Sequence, residues 1–599
     1  MKKTKLVSFV FLFIGLLTYS QSLMFEIPIK EQIDKSSQII EGKVIAKKSF
    51  WDTNHQNIYT VQTIEVYKIF KGEKLKTIEV ITPGGVIDFK SQIVNPSLKL
   101  RIGDIGIFML TSNPKSLALK PNSNTVAFKP FSSKQGFYRY NLVSNIAANP
   151  FKVRNGIKTN FYTELESHLN QKFHSIREFN VENEVLLSKK SSSKRMMSVS
   201  SISPVSISAG TASALTITGT GFGATQGTGT VSFPNPDDGG ATFVAALNSQ
   251  TISWSDTEIQ VEVPSDSGTG QVQITPDGGS PMLSQILTIT FSVLNLNYDF
   301  DADPIDENIV ASPTRHVDRN GTGGYTWQMQ TDFDANTAAK ESFIRAFDSW
   351  KCETGINWTL GSVTTVDVIS NDDINIIRFD NGSLPAGVLG RCTSRYAAQC
   401  LIPNNIVYWY VEEIDIVFND DTNWNYGPAA PAFVQYDFES VALHELGHGH
   451  QLNHVINSVD VMHYSISNSI SKRTLNTNNI NGAANVHARS IQDFSCSPTG
   501  YTQMIAYSCP TTSINDYLLA QGTSVFPNPT TGALFINNSS SFELQKAIIF
   551  DSVGRFLFST DIHDFKRTKI INVNTLSPGV YFINLISENA AITKKFLVE

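Results

Sequence analysis

The sequence predicts a multidomain, β-rich chain: a β-rich N-terminal domain, a second strand-and-turn domain, an α+β domain carrying a histidine motif, and a small C-terminal β-sandwich. Three observations predict this. The 599 residues leave room for about four domains at roughly 150 residues each. Hydrophobic residues at 41% and charged residues at 17% are the balance of folded protein, not of general disorder. Short apolar runs punctuated by turn residues fill Phe25–Ser112, Ser201–Ser292 and the last 80 residues, the pattern of strands.

Residues 1–20 have the layout of a signal peptide: Lys2, Lys3 and Lys5, an apolar run, then small Thr18 and Ser20 before a cut at Gln21. A membrane anchor needs about 20 apolar residues, more than this run supplies, so no transmembrane segment is expected in the mature chain. Residues 21–180 form the N-terminal domain, with alternation in IIEGKVIAKK, IYTVQTIEVYKIF and LKTIEVITPGG and a helical stretch at NFYTELESHLNQKF. Residues 181–200, rich in Ser and Lys without periodicity, read as an exposed linker open to proteases.

Residues 201–293 carry TITGTGFG and the strand IQVEVPS, and through these motifs resemble the immunoglobulin-like IPT/TIG family. The GTGFGATQG run is not a phosphate loop, because no Lys-Ser/Thr pair and no helix follow it. Residues 494–519 read as a second linker. In 520–599, FPNPTTG, the SVGR turn, LSPGVYF and the terminal KKFLV resemble the type IX secretion C-terminal sorting domain, which implies an address for secretion or cell-surface attachment and the type IX machinery as a partner.

Residues 294–493 hold the chemistry, in the stretch DFESVALHELGHGHQLNH. Asp437 can cap a helix on which His444 and His448, four apart, share one face and can reach a single ion. Glu445 lies beside that ion without being forced to ligate it. His454 joins only if the chain turns back after His448, and His450 faces away. The spacing H-E-x-x-H-x-x-x-x-x-H resembles the metzincin zinc peptidases, nearest the matrixins. That resemblance implies one catalytic Zn²⁺ on His444, His448 and His454, with Glu445 as general base. It also implies a methionine turn beneath the metal at Met462, within VDVMHYS. Tyr464 stands where matrixins carry Pro; Met-His-Tyr is astacin-like, and implies a tyrosine that ligates zinc or hydrogen-bonds the tetrahedral intermediate, against a packing role. ESFIRAFDSWKCETGINW looks like the family's first helix, INIIRFD and IDIVFNDDTNW like its strands, and LPAGVLG like the strand edging its cleft. Gln451 departs from the family glycine, where a left-handed turn costs a side chain roughly 1 kcal/mol. The second, structural zinc of matrixins is expected to be missing, since no His lies between His316 and His444. A calcium site near Asp420 and Asp421 or in YDFDADPIDE is a further reading, set against the commoner one of solvated acidic loops.

The function these readings imply is a secreted zinc endopeptidase acting on protein or peptide substrates. The alternative is a surface adhesin or glycan-binding protein with an inert peptidase-like domain. A Ser-His-Asp hydrolase lacks a nucleophile elbow. The net charge of −7 gives no polyanion-binding signature, so no nucleic-acid partner is expected. It hides an asymmetry: 26 Lys/Arg against 15 Asp/Glu from Ser22 to Ser200, and 11 against 24 from Asn295 to Arg489. The two regions attract, so the N-terminal domain is expected to dock on the catalytic region as a pro-segment or regulatory cover, released by cleavage near Lys189, Lys190, Lys194 and Arg195; a permanent accessory domain is the alternative. Having no Cys, it cannot block zinc by a thiolate. Of the five cysteines, Cys392 with Cys400 and Cys496 with Cys509 are the close-spaced pairings, leaving Cys352 over.

Overall fold

The computed structural model describes residues 24–112, 126–189, 197–299, 309–402, 406–492, 501–509 and 514–599, except 541, 553–554, 564–567 and 589. The signal-peptide reading, Cys496 and most of YDFDADPIDE fall outside these. The chain divides into two compact units, one ending at Tyr507 and one beginning at Ser508.

In the first unit, strands Gln38–Trp51, Ile58–Lys71, Thr77–Pro83, Ala127–Pro130 and Ile105–Ser112 follow one another and close, the last pairing back on the first. Closure leaves this N-terminal barrel without free edges among those strands. Its centre holds Ile40, Val44, Ile64, Val66, Val80 and Phe108. A hairpin, Gly85–Ile87 and Lys90–Asn95, departs from the barrel to join another sheet. The expected 181–200 linker is partly structured: helix Val181–Lys189 sets Val181 and Val185 into the domain, and strand Ser198–Ser203 already belongs to the next one.

That next domain is a sandwich of a four-stranded and a five-stranded sheet. Alternating residues of both sheets, among them Leu215, Ile217, Phe233, Ile259, Val261 and Val272, fill the space between.

In the α+β domain, Trp358–Leu360, Tyr325–Met329, Asn375–Phe379 and Ile406–Phe418 run parallel, and Gly390–Ile402 lies antiparallel at the cleft side. LPAGVLG leads into this edge strand; the strand itself begins at Gly390. Helix Thr337–Thr354 is capped by Asn336 and buries Phe343, Ala346, Phe347 and Trp350 at helical spacing. Its Trp350 indole donates to the Leu443 carbonyl at 2.7 Å, tying it to helix Phe438–Gly449. Beyond the expected boundary at 493, Tyr501 and Met504 are still buried against this domain and Thr502–Gln503 pairs with Val317–Asp318.

The cysteine expectation is corrected. Cys392 is a buried free thiol, whereas Cys352 and Cys509 are each disulfide-bonded. Nearness in sequence misled, because Cys392 sits on the edge strand with its side chain turned into the core.

In the second unit, a three-stranded and a four-stranded sheet enclose Leu534, Ile536, Ile549, Ile583, Leu585 and Phe596.

Candidate active site

Asp437 caps the helix through Ser440 N–H at 2.9 Å, and every residue of Phe438–Gly449 is buried. His444 and His448 emerge on one face. The helix stops at Gly449, and Gln451 takes a left-handed φ of 69°. Its strain is offset by contacts a glycine lacks: the Tyr396 hydroxyl donates to Gln451 Oε1 at 2.8 Å, and Gln451 Nε2 donates to the Gly449 carbonyl at 3.0 Å. The turn brings His454 back. His450 instead packs among Trp350, Trp358 and His316.

The three imidazoles converge, with Nε2 of His448 at 2.9 Å from that of His444 and 3.1 Å from that of His454. Each Nδ1 faces an acceptor: Val461 carbonyl at 2.7 Å for His444, Leu452 carbonyl at 2.8 Å for His448, and Asp237 Oδ1 at 2.5 Å for His454. With Nδ1 carrying the proton in all three, the Nε2 lone pairs point at one another. Such a cluster can hold a cation. Burial first, then the neighbouring imidazoles, holds His444 and His448 well below the ordinary histidine pKa, in the neutral form that ligates. A tetrahedral ion with bonds of about 2.0–2.1 Å has ligand edges of ~3.3 Å, close to these separations. Among the described residues this is the one group of three or more His, Cys, Asp or Glu side chains with converging ligand atoms; Asp420 and Asp421 join no such group, so nothing here supports calcium.

Glu445 is fully buried, and neither of its oxygens has a hydrogen-bond partner of normal geometry. Burial pushes its pKa well above the usual carboxylate value, and the Arg391 charge pulls against this. Arg391 is half-buried, and its partial removal from water lowers it to about 10. Gly390 leaves the space Glu445 needs, since a Cβ there would lie 2.8 Å from Glu445 Oε1. Met462 packs against Gly447 of the helix, where a Cβ would come within 2.3 Å of its sulfur. Its turn is locked by Asp460, which accepts from Met462 N–H at 2.8 Å and from the side-chain amides of Asn476 and Asn479 at 2.7 and 2.6 Å.

Glu445, His448, His454 and Tyr464 share one small cavity with Met24, Pro96, Lys134 and Pro150 of the N-terminal domain and Asp237 of the sandwich. Burial, then Asp238 and Asp237, pushes the Tyr464 hydroxyl up to about 12, so it stays protonated and can donate. Strand Lys90–Asn95 extends the sheet of the α+β domain antiparallel to strand Gly390–Ile402, in register from Lys90↔Ala397 to Asn95↔Cys392. Further along that edge, Met24 bridges Val388 and Phe25 N–H donates to the Gly387 carbonyl at 2.7 Å. Sequence reasoning missed Asp237, Lys134, Gly390 and Arg391. Asp237 lies in PNPDDGG, where turn-forming residues mask an acid that points away from its own domain.

Comparison with curated proteins returns no match. Among solved structures, a "Biofilm associated protein - BSP domain" is similar at 8% identity over 94% of this chain and 81% of that chain, with a TM-score of 0.17, too low to carry an argument. Family models do match, and in the order of the domains: the IPT/TIG domain over residues 197–291, Matrixin over residues 321–488, and the secretion system C-terminal sorting domain over residues 524–599. The chain thus joins a matrixin domain, the metalloprotease family that the histidine spacing resembles, to an IPT/TIG domain and a secretion tail.

Proposed function

We propose that the chain is a secreted zinc-dependent endopeptidase. The observation that supports this best is the convergence of three imidazole Nε2 atoms beside the buried carboxylate of Glu445. His444, His448 and His454 would hold one Zn²⁺, which would supply Lewis-acid chemistry to the scissile carbonyl and to water. Glu445 takes the proton of the attacking water and hands it to the leaving amine, and its dry surroundings make it a stronger base than a solvated carboxylate. Tyr464 donates to the oxygen that becomes negative. Met462 floors the site. An extended peptide adds as a strand to the edge from Gly387 to Ala397, its main chain giving affinity and its side chains specificity. Residues 1–20 and the C-terminal domain direct export through the type IX machinery.

The N-terminal domain keeps this site latent. Strand Lys90–Asn95 uses the backbone groups a substrate needs, Met24 and Phe25 take the other end of the edge, and Pro96 and Lys134 roof the cavity. Cleavage of the basic segment around Lys190, Lys194 and Arg195 releases it. Metal analysis of the purified chain should give one zinc, and the cleaved form should hydrolyse a peptide library, lose activity to a chelator and regain it with zinc. A cleaved, zinc-loaded chain that hydrolyses no peptide refutes the assignment.

A further inference from the structure

The segment that returns His454 to the site is built against the IPT/TIG domain and the residues that lead out of it. Leu294 N–H donates to the Gln451 carbonyl at 2.8 Å, and Asn453 N–H donates to the Ser292 carbonyl at 2.9 Å. Asn453 Nδ2 reaches the Ser265 carbonyl at 3.1 Å. Ile456 fits against Gly268, where a Cβ would lie 2.5 Å from its Cδ1. Beyond these contacts, Asp237 Oδ1 stands 2.5 Å from His454 Nδ1 while its other oxygen pairs with Lys134 at 2.8 Å. His444 and His448 take their acceptors from backbone carbonyls of their own domain. His454 is the histidine of the three whose acceptor is charged and comes from another domain.

We infer that Asp237 is a positioning residue of the metal centre, so that the IPT/TIG domain supplies part of the site instead of being appended to it. Its carboxylate keeps the proton of His454 on Nδ1 and fixes the ring plane, leaving Nε2 free to ligate and more basic than an imidazole that donates to a neutral oxygen. The backbone contacts at 292–294 hold the loop, and the carboxylate sets the last degree of freedom, the rotation of the ring. The inference rests on the zinc reading above.

Zinc affinity is measured by competition with a chromophoric chelator for the full chain, Asp237→Ala, Asp237→Asn and Asp266→Ala, and each is reloaded with Co²⁺ for its visible spectrum. Asp266 is the control, because it pairs with Lys99 and Arg101 across the same interface at 3.3 and 3.5 Å without being paired to a ligand histidine. Asp237→Ala should weaken zinc binding about 10–100-fold and shift the cobalt bands. Asp237→Asn, which still offers an acceptor, should lose less, and Asp266→Ala should stay within about threefold of the parent. Unchanged affinity and spectrum in Asp237→Ala, or an equal loss in Asp266→Ala, overturns the inference. A parent chain that binds no zinc overturns the reading of the site itself, which separates the two failures.

Discussion

Cutting the segment 190–196 should raise peptidase activity at least ~25-fold, and the figure follows from the strand in the cleft. Six residues pair between Lys90–Asn95 and Cys392–Ala397, which in an antiparallel ladder means about six hydrogen bonds. At about 1 kcal/mol net each the ladder is worth ~6 kcal/mol, a dissociation constant of ~40 μM. While the chain is intact the cover acts at an effective concentration of about 1 mM, so about one molecule in 25 is open. Once the link is cut and the protein diluted to about 1 μM, the cover leaves nearly every molecule. Met24, Phe25 and the Lys134–Asp237 pair add to the ladder, so the ratio is a floor. The exposed pairs Lys90–Glu412 and Lys99–Asp266 are worth at most about 1 kcal/mol each, and salt alone should change the rate less than the cut does. The assay is a quenched fluorescent peptide followed while a trace protease nicks the chain. Equal rates before and after complete cleavage, at low and high salt, refute the reasoning.

Three further outcomes follow from individual side chains. Glu445→Gln should keep one zinc per chain and the fold while turnover of the released form falls about 10²–10⁴-fold; near-parental turnover with zinc bound contradicts its role as base. Gly390→Ala places a Cβ 2.8 Å from Glu445 Oε1 and should lower kcat with zinc content unchanged, whereas an unaltered kcat shows that the close approach is not needed. Gln451→Gly relieves roughly 1 kcal/mol of left-handed strain but removes the Gln451 acceptor of the buried Tyr396 hydroxyl, which keeps its contact with Ser394, at a net cost of about 1 kcal/mol, and it also vacates packed space whose loss adds to that cost. Thermal unfolding should therefore show a lower Tm, and a rise sinks the compensation argument.

What was legible in the sequence is what is local. The cap at Asp437, the four-residue step from His444 to His448 and the buried stripe of Phe343, Ala346, Phe347 and Trp350 are set by helical periodicity, which one strand of text displays. Gln451 was readable as a strained turn, because the left-handed conformation is a property of a single residue. Its relief was not, because Tyr396 lies on a strand 55 residues away in sequence. Separation also hid the rest: Asp237 meets His454 across 217 residues, and nothing in KSQIVN distinguishes a strand that completes its own barrel from one that completes another domain's sheet. Charge counting illustrates the limit most clearly. The excess of Lys and Arg in 22–200 was set against the acidic 295–489 region, and Lys90–Glu412 does join those two. Lys99 and Lys134, however, pair with Asp266 and Asp237 of the IPT/TIG domain, which that arithmetic left out. Net charge reports that a basic domain will be held somewhere acidic; which acids hold it depends on where the fold has brought them. Here the fold sets Glu412 of the α+β domain and Asp237 and Asp266 of its neighbour against the same basic domain, so a single basic domain can grip both together. Release should accordingly depend on loosening contacts to both domains, and the double variant Asp266→Ala/Glu412→Ala should leak more activity before cleavage than either single variant, read with the same fluorescent peptide on the uncut chain. If each single change opens the site as far as the pair does, the grip is not shared between the two domains.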